Sequence, residues 1–160
     1  MSKYANIWRM NRIFRPEQLT PYEQDYARWC AEQGALLREG RFGALDRENL
    51  AEEIESLGRS DRREIESRLK PLLVHLLKWR FQPQGRSASW RTTIDEQRWR
   101  IAKILKESPS LKGYPQEVLA EEYGFARWAA MEETGLPEET FPQTCPFAID
   151  QVLATSFLPD

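Results

Sequence analysis

His75 is the one histidine in the 160 residues, and histidine is the side chain whose ordinary pKa lets it trade a proton near neutrality. It sits between Val74 and Leu76. Combined with Glu52, Glu55 and Arg59, it could line a cleft in which carboxylates and an imidazole move protons and hold a cation or an anion. Glu52, Glu53 and Glu55 could also chelate a hard cation with Glu121 and Glu122. Each of these features has a plainer reading. A histidine flanked by apolar residues more often bonds a carboxylate and keeps two helices in register. Carboxylates four residues from a base form helical ion pairs, as in Glu55 with Arg59, Glu64 with Arg68 and Glu66 with Lys70. The carboxylate-bridged di-iron pattern needs Glu three residues before His, and that position is Leu72. The chain has no HExxH, GxSxG, P-loop or CxxC motif, and no GxGxxG following a strand. The expectation is therefore no metal and no cofactor.

A second constellation mixes bases with aromatics. Residues 78–106 carry eight Lys/Arg against two acids, whereas residues 107–160 carry two Lys/Arg against ten acids. Within the basic block, Lys78, Trp79 and Arg80 lead to Arg91, then Arg98, Trp99 and Arg100, then Lys103 and Lys106. This composition suits phosphate contacts and base stacking. It suits equally a basic helix packed beside an acidic one, and the net charge of −2 favours that second reading. Trp99 lies about half a turn from Ile101 and so off the apolar stripe. Trp99, Arg98, Arg100 and Lys103 are accordingly the candidate interaction residues.

The composition, 41% hydrophobic and 30% charged, is that of a folded globular chain. No apolar run approaches the roughly 20 residues a bilayer span requires. The N-terminus has basic residues without a continuous apolar segment, so a secretory signal is not expected. Cys30 and Cys145 are far apart, which fits a reduced cytoplasmic protein. A single long-range disulfide stays open.

These groups must be positioned by helices. Leu50, Ile54, Leu57, Ile65, Leu69, Leu72, Leu76 and Trp79 recur in threes, fours and one gap of eight, so one apolar stripe runs along a long central helix. Asp46 is its natural cap. Gly58 and a second capping pattern at Asp61–Glu64 leave two readings open, one continuous helix or two nearly collinear ones broken near Ser60. Pro71 predicts a kink. Asn49, Glu53, Ser56 and Ser60 form a polar strip beside the stripe, read as a hydrogen-bond network ahead of a cleft lining. An earlier helix is expected to start at Thr20-Pro21-Tyr22-Glu23 and end at Gly40 and Gly43. A third is expected from Ser87 or Ser89 to Ser108-Pro109. A fourth runs from Pro115 to Gly135, and a short one from Pro146 carries Phe147, Ile149, Val152 and Leu153. The expected fold is all-α: an antiparallel bundle of about four main helices with short additional ones. Residues 1–19, with Ile7, Trp8, Ile13 and Phe14, read as an N-terminal arm. Residues 20–160 read as a single helical-bundle domain.

Several segments together carry a family signature: Tyr22 to Trp29 with Asp25, Glu32-Gln33, Leu36-Leu37-Arg38, Gly40-Arg41-Phe42, Leu45-Asp46 and Asn49 to Gly58. They continue with His75 to Trp79, Ser89-Trp90, Ser108 to Leu111, Glu133 to Pro137 and Cys145-Pro146. The chain resembles the bacterial domain-of-unknown-function family twenty-nine from about Tyr22 to Pro159. The resemblance implies a compact helical bacterial protein and no particular activity.

The expected function is a small cytoplasmic protein–protein interaction or regulatory module without catalysis, with a protein partner or self-association. The alternative is an enzyme built on Glu52, Glu55, Arg59 and His75. A second alternative, nucleic-acid binding through residues 78–106, is disfavoured, and no membrane association is expected.

Overall fold

The computed structural model describes residues 19–160. The expected N-terminal arm, apart from Leu19, lies outside the described residues. The fold is all-α. Among the described residues the helices are α1 (Tyr26–Arg38), α2 (Arg47–Phe81), α3 (Ala88–Glu107), α4 (Tyr114–Thr134) and α5 (Ile149–Leu153), joined through short 3-10 turns. No described residue lies in a strand.

Local chemistry explains most boundaries. The cap of α1 is Asp25, whose carboxylate accepts from the Arg28 amide at 3.0 Å. The expected start at Thr20 is displaced because Thr20 is engaged elsewhere. Its amide and hydroxyl donate to Glu32 at 2.7 and 3.1 Å. Asp46 opens α2, accepting from the Asn49 amide at 3.4 Å and the Asn49 side chain at 2.7 Å. Ser87 caps α3 by accepting from the Trp90 amide, and Ser108 closes it. Pro115 sits in the first turn of α4. Gly135, at φ 66°, ends that helix in the left-handed conformation that glycine adopts without Cβ strain. The last helix starts at Ile149 rather than Pro146, after the Ala148 amide donates to Gln151 Oε1 at 2.9 Å.

The open choice about α2 is decided, and one expectation about it is corrected. The helix runs unbroken for 35 residues, through Gly58 and Ser60. Its apolar stripe, moreover, is not buried along its length. Ile65, Leu69, Leu72 and Leu76 are sealed, but Ile54 is 65% and Leu57 71% exposed. Periodicity assigns a face to a helix without saying whether a neighbour covers it. Pro71 lies inside the helix, where a proline costs about 3 kcal/mol. The flanking Leu69, Leu72, Leu73, Leu76 and Leu77 are fully buried, each contributing roughly 1.5–3 kcal/mol.

The chain divides into two compact units, the first ending at Ser56 and the second comprising Leu57–Asp160. In the first, Trp29 and Leu36 are buried. The Trp29 indole donates to Asp46 at 3.1 Å, and Gln33 accepts from the Asp46 amide at 2.9 Å. Glu32, also buried, accepts from Arg28 at 2.9 Å besides Thr20. The second unit is a helical bundle. Its core joins the C-terminal half of α2 to Ile94 and Ile101 of α3, Leu119, Tyr123, Ala126 and Ala130 of α4, and Phe141, Phe147 and Val152. A Cβ at Gly85 would fall 2.6 Å from the Trp90 ring, so the turn after α2 needs glycine there for packing.

Candidate interaction surface

His75 is half-buried on α2. Its Nδ1 lies 2.8 Å from the Pro71 carbonyl. A carbonyl oxygen only accepts, so Nδ1 carries the proton. Pro71 stands four residues back on the same helix, and the expected carboxylate partner is replaced by this backbone oxygen. Burial holds the His75 pKa below its ordinary value, ahead of the opposing effect of the Pro71 bond. Arg59 is exposed on the same helix, sixteen residues earlier and thus about 24 Å away along the axis. Arg59 and His75 therefore do not meet. Glu52 and Glu55 are exposed on the segment of α2 that belongs to the first unit.

The polar strip resolves into a network at its first two members. Asn49 serves Asp46, as above. Glu53 accepts from the hydroxyls of Tyr22 at 2.5 Å and Tyr26 at 2.8 Å. These bonds hold Glu53 below the usual carboxylate range and push Tyr22 up to about 12. The two rings also pack around Trp29, Tyr22 edge-on at 4.9 Å and Tyr26 stacked at 6.1 Å. The chemistry of these two hydroxyls was not singled out from sequence. The four-residue spacing, which lets both reach one acceptor, was the available signal.

The bases of residues 78–106 are mostly committed to their own fold. Arg98, an interaction candidate, is corrected to a structural residue: it is 2% exposed. It donates to the Val152 and Gln151 carbonyls at 2.8 and 3.4 Å, both in the last turn of a short helix, where carbonyls lack intrahelical partners. Burial lowers its pKa, and one guanidinium nitrogen, Nη1, has no partner. Sequence could not reveal this, because Arg98 adjoins Trp99, which points outward. Lys78 pairs with Glu133 at 2.7 Å and lies 4.5 Å from the Trp90 ring centre. Arg91 pairs with Asp95 at 3.0 Å and Arg100 with Glu96 at 2.9 Å. Of the helical pairs expected on α2, Glu64 with Arg68 forms at 2.7 Å. Glu66 instead accepts from the Tyr114 hydroxyl.

Of the large apolar side chains that the second unit leaves well exposed, all but Leu57 are aromatic. Trp99 on α3 is 62% exposed and Trp128 on α4 63%, with Phe125 beside it at 52%. The Lys103 ammonium is 5.9 Å from the Trp99 ring centre, and Lys70 is 5.7 Å from that of Phe125. Phe125 and Trp128 were not singled out from sequence. Their signal is their phase: neither falls on the Leu119, Tyr123, Ala126, Ala130 stripe. Concavity is modest by comparison. An open depression of about 370 Å³ is lined by Arg127, Glu138, Glu139, Phe141, Pro142 and Gln143. Arg127 there pairs with Glu138 at 2.9 Å and donates to the Phe141 carbonyl at 3.0 Å.

Among the described residues no three His, Cys, Asp or Glu side chains converge as a metal site. Cys30 is exposed and Cys145 half-buried, both free thiols. No described helix is long and apolar enough to cross a membrane. The arrangement of capped helices and bonded tyrosines coincides with a family model covering residues 21–158. The chain belongs to the family described as Domain of unknown function DUF29. That match takes in both units and the whole aromatic surface. No curated protein and no solved structure matches the chain.

Proposed function

We propose that this chain is a small cytoplasmic module of a bacterial cell that binds another protein and performs no catalysis itself. One observation carries the reading. Two tryptophans, Trp99 and Trp128, are held in water on well-packed helices, although each would gain free energy by being covered. Tryptophan is among the residues that dominate the binding energy of protein interfaces. Rigid helical display also lowers the ordering cost of association.

The state of the ionisable groups supports the same reading. His75 is bonded to its own backbone, and its low pKa favours the neutral ring. Glu53 is clamped by two phenols, and Arg98 closes a helix end. Each is already used in holding the fold.

The test is affinity capture from the native host's lysate with the full chain and with Trp99→Ser and Trp128→Ser. Both positions are exposed, so helical circular dichroism should be unchanged. The expected result is a protein retained in near-equal molar amount by the wild type and lost, tenfold or more, with at least one variant. Equal capture by all three chains would overturn the proposal.

A further inference from the structure

The outer face of α1 is apolar. Tyr26, Cys30, Gly34 and Leu37 follow at four, four and three residues and so share one side of the helix, with Ala27 and Ala31 along its flank. Tyr26 is 52% and Leu37 46% exposed, Ala27 and Cys30 are exposed, and Ala31 and Gly34 are half-buried. A surface helix ordinarily turns charged and polar side chains outward. The charged residues of α1 are Arg28, Glu32 and Arg38. Glu32 is buried and Arg28 is paired with it at 2.9 Å, so the face itself is left with Arg38 at its C-terminal end.

We propose that the N-terminal segment of this chain, through Ile7, Trp8, Ile13 and Phe14, covers the outer face of α1 in the same molecule. The occupant is selected first by where the segment joins the fold. The Thr20 amide and hydroxyl are bonded to Glu32, the seventh of the thirteen residues of α1, so the preceding chain departs from the middle of that helix. Reach is the second reason. Five residues separate Phe14 from Thr20, and an extended chain covers at most about 3.6 Å per residue, which allows Phe14 to lie up to about 20 Å from Thr20. Each end of α1 is only about 10 Å from its middle at the helical rise per residue. Composition is the third. The segment brings four large apolar side chains to an apolar face, and it carries Lys3, Arg9, Arg12 and Arg15 against Glu17. The described part of the first unit has the opposite balance, nine acids against four arginines. Glu23 and Asp25 stand exposed just before α1, placed to receive those bases, while Arg38 opposes them at the far end. A segment tethered this closely acts at an effective concentration on the order of millimolar, which a second copy or a separate protein must outcompete. The α1 face belongs to the first unit, and Trp99 and Trp128 belong to the second, so this proposal and the interaction-module reading stand or fall separately.

Cys30 lies on the face as a free thiol, and its alkylation reports whether the face is covered. The full chain is treated with a maleimide, and peptide mass mapping separates Cys30 from Cys145. In the native wild type Cys30 should react at least tenfold more slowly than in Trp8→Ser/Phe14→Ser, at a rate unchanged by dilution of the protein. Helical circular dichroism checks that both chains are folded. Should the double variant lose helix, Ala27→Arg serves instead: it repels the bases of the segment from an exposed position of α1 and should give the same acceleration. Equal rates in the wild type and the folded variant overturn the proposal. Protection that weakens on dilution assigns the cover to a second copy and overturns it as well.

Discussion

His75 spends its ring proton on the carbonyl of Pro71, and that sets how it behaves with pH. Burial disfavours its charged form more than the nearby Glu133 and the Pro71 bond favour it. The folded chain therefore releases the second proton of the imidazolium, the one on Nε2, at lower pH than the unfolded chain, whose value is near 6.5. Between the two values the unfolded state binds more protons, so stability rises with pH. The contribution is complete above about 6.5 and is lost as pH falls through that value towards the lower folded one. Urea midpoints across about pH 5 to 7 should fall more steeply on acidification for the wild type than for His75→Phe. Parallel curves for the two chains would contradict this account. The same residue shows how far sequence reaches at this scale. Its half-apolar position was legible, because neighbours on a helical wheel are fixed by the chain. Its partner was not, because a carboxylate on another helix and a carbonyl on its own satisfy the ring equally well.

At the scale of elements, capping chemistry was readable wherever one group had one use. Asp46, Ser87, Ser108, Pro115 and Gly135 all end or begin helices. The reading failed where two groups competed, as at Thr20, whose donors Glu32 takes, leaving the cap to Asp25. At Gly58 the sequence left a break and a continuous helix both open, and α2 is continuous. That continuity has a measurable consequence. Gly58 is exposed, and a Cβ there would touch nothing within 4 Å. Gly58→Ala should then raise stability by about 0.5–1 kcal/mol, by lowering the entropy of the unfolded chain and favouring the helix. The denaturant midpoint checks it. An unchanged or lower midpoint would mean that the helix needs glycine's freedom at that point. Arg98 teaches a related lesson. Adjacent residues on a helix point about 100° apart, so one face can expose Trp99 while the next position buries an arginine that ties down α5.

For the whole molecule, the tyrosines set the alkaline limit. The four described tyrosines all hold their protons above the ordinary value of 10. In Tyr22, Tyr26 and Tyr114 the cause is the bond to Glu53 or Glu66, and in Tyr123 it is burial. Tyr22 and Tyr123 rise to about 12. Their folded pKa values exceed the unfolded ones, so the folded state binds more protons above pH 10 and stability falls as pH rises through that region. Phenolate absorbance should therefore appear late in the native protein and near the ordinary pKa in denaturant. Native titration of all four near 10 would refute this. Charge shows the division between chain and fold most clearly. The opposite blocks at 78–106 and 107–160 were visible as composition. The contact between them at Lys78 with Glu133 appeared only in three dimensions, while Arg91 with Asp95 and Arg100 with Glu96 pair inside the basic block itself. The amino-acid sequence alone determined the all-α class, most helix ends and the phase of the α2 apolar stripe, because these depend on residues a few positions apart. Tertiary packing alone decided that the stripe of α2 is sealed from Ile65 to Leu76 but open at Ile54 and Leu57, that Arg98 is buried, and that Trp99, Phe125 and Trp128 stand in water. Burial depends on which distant segment arrives, and no local pattern encodes that.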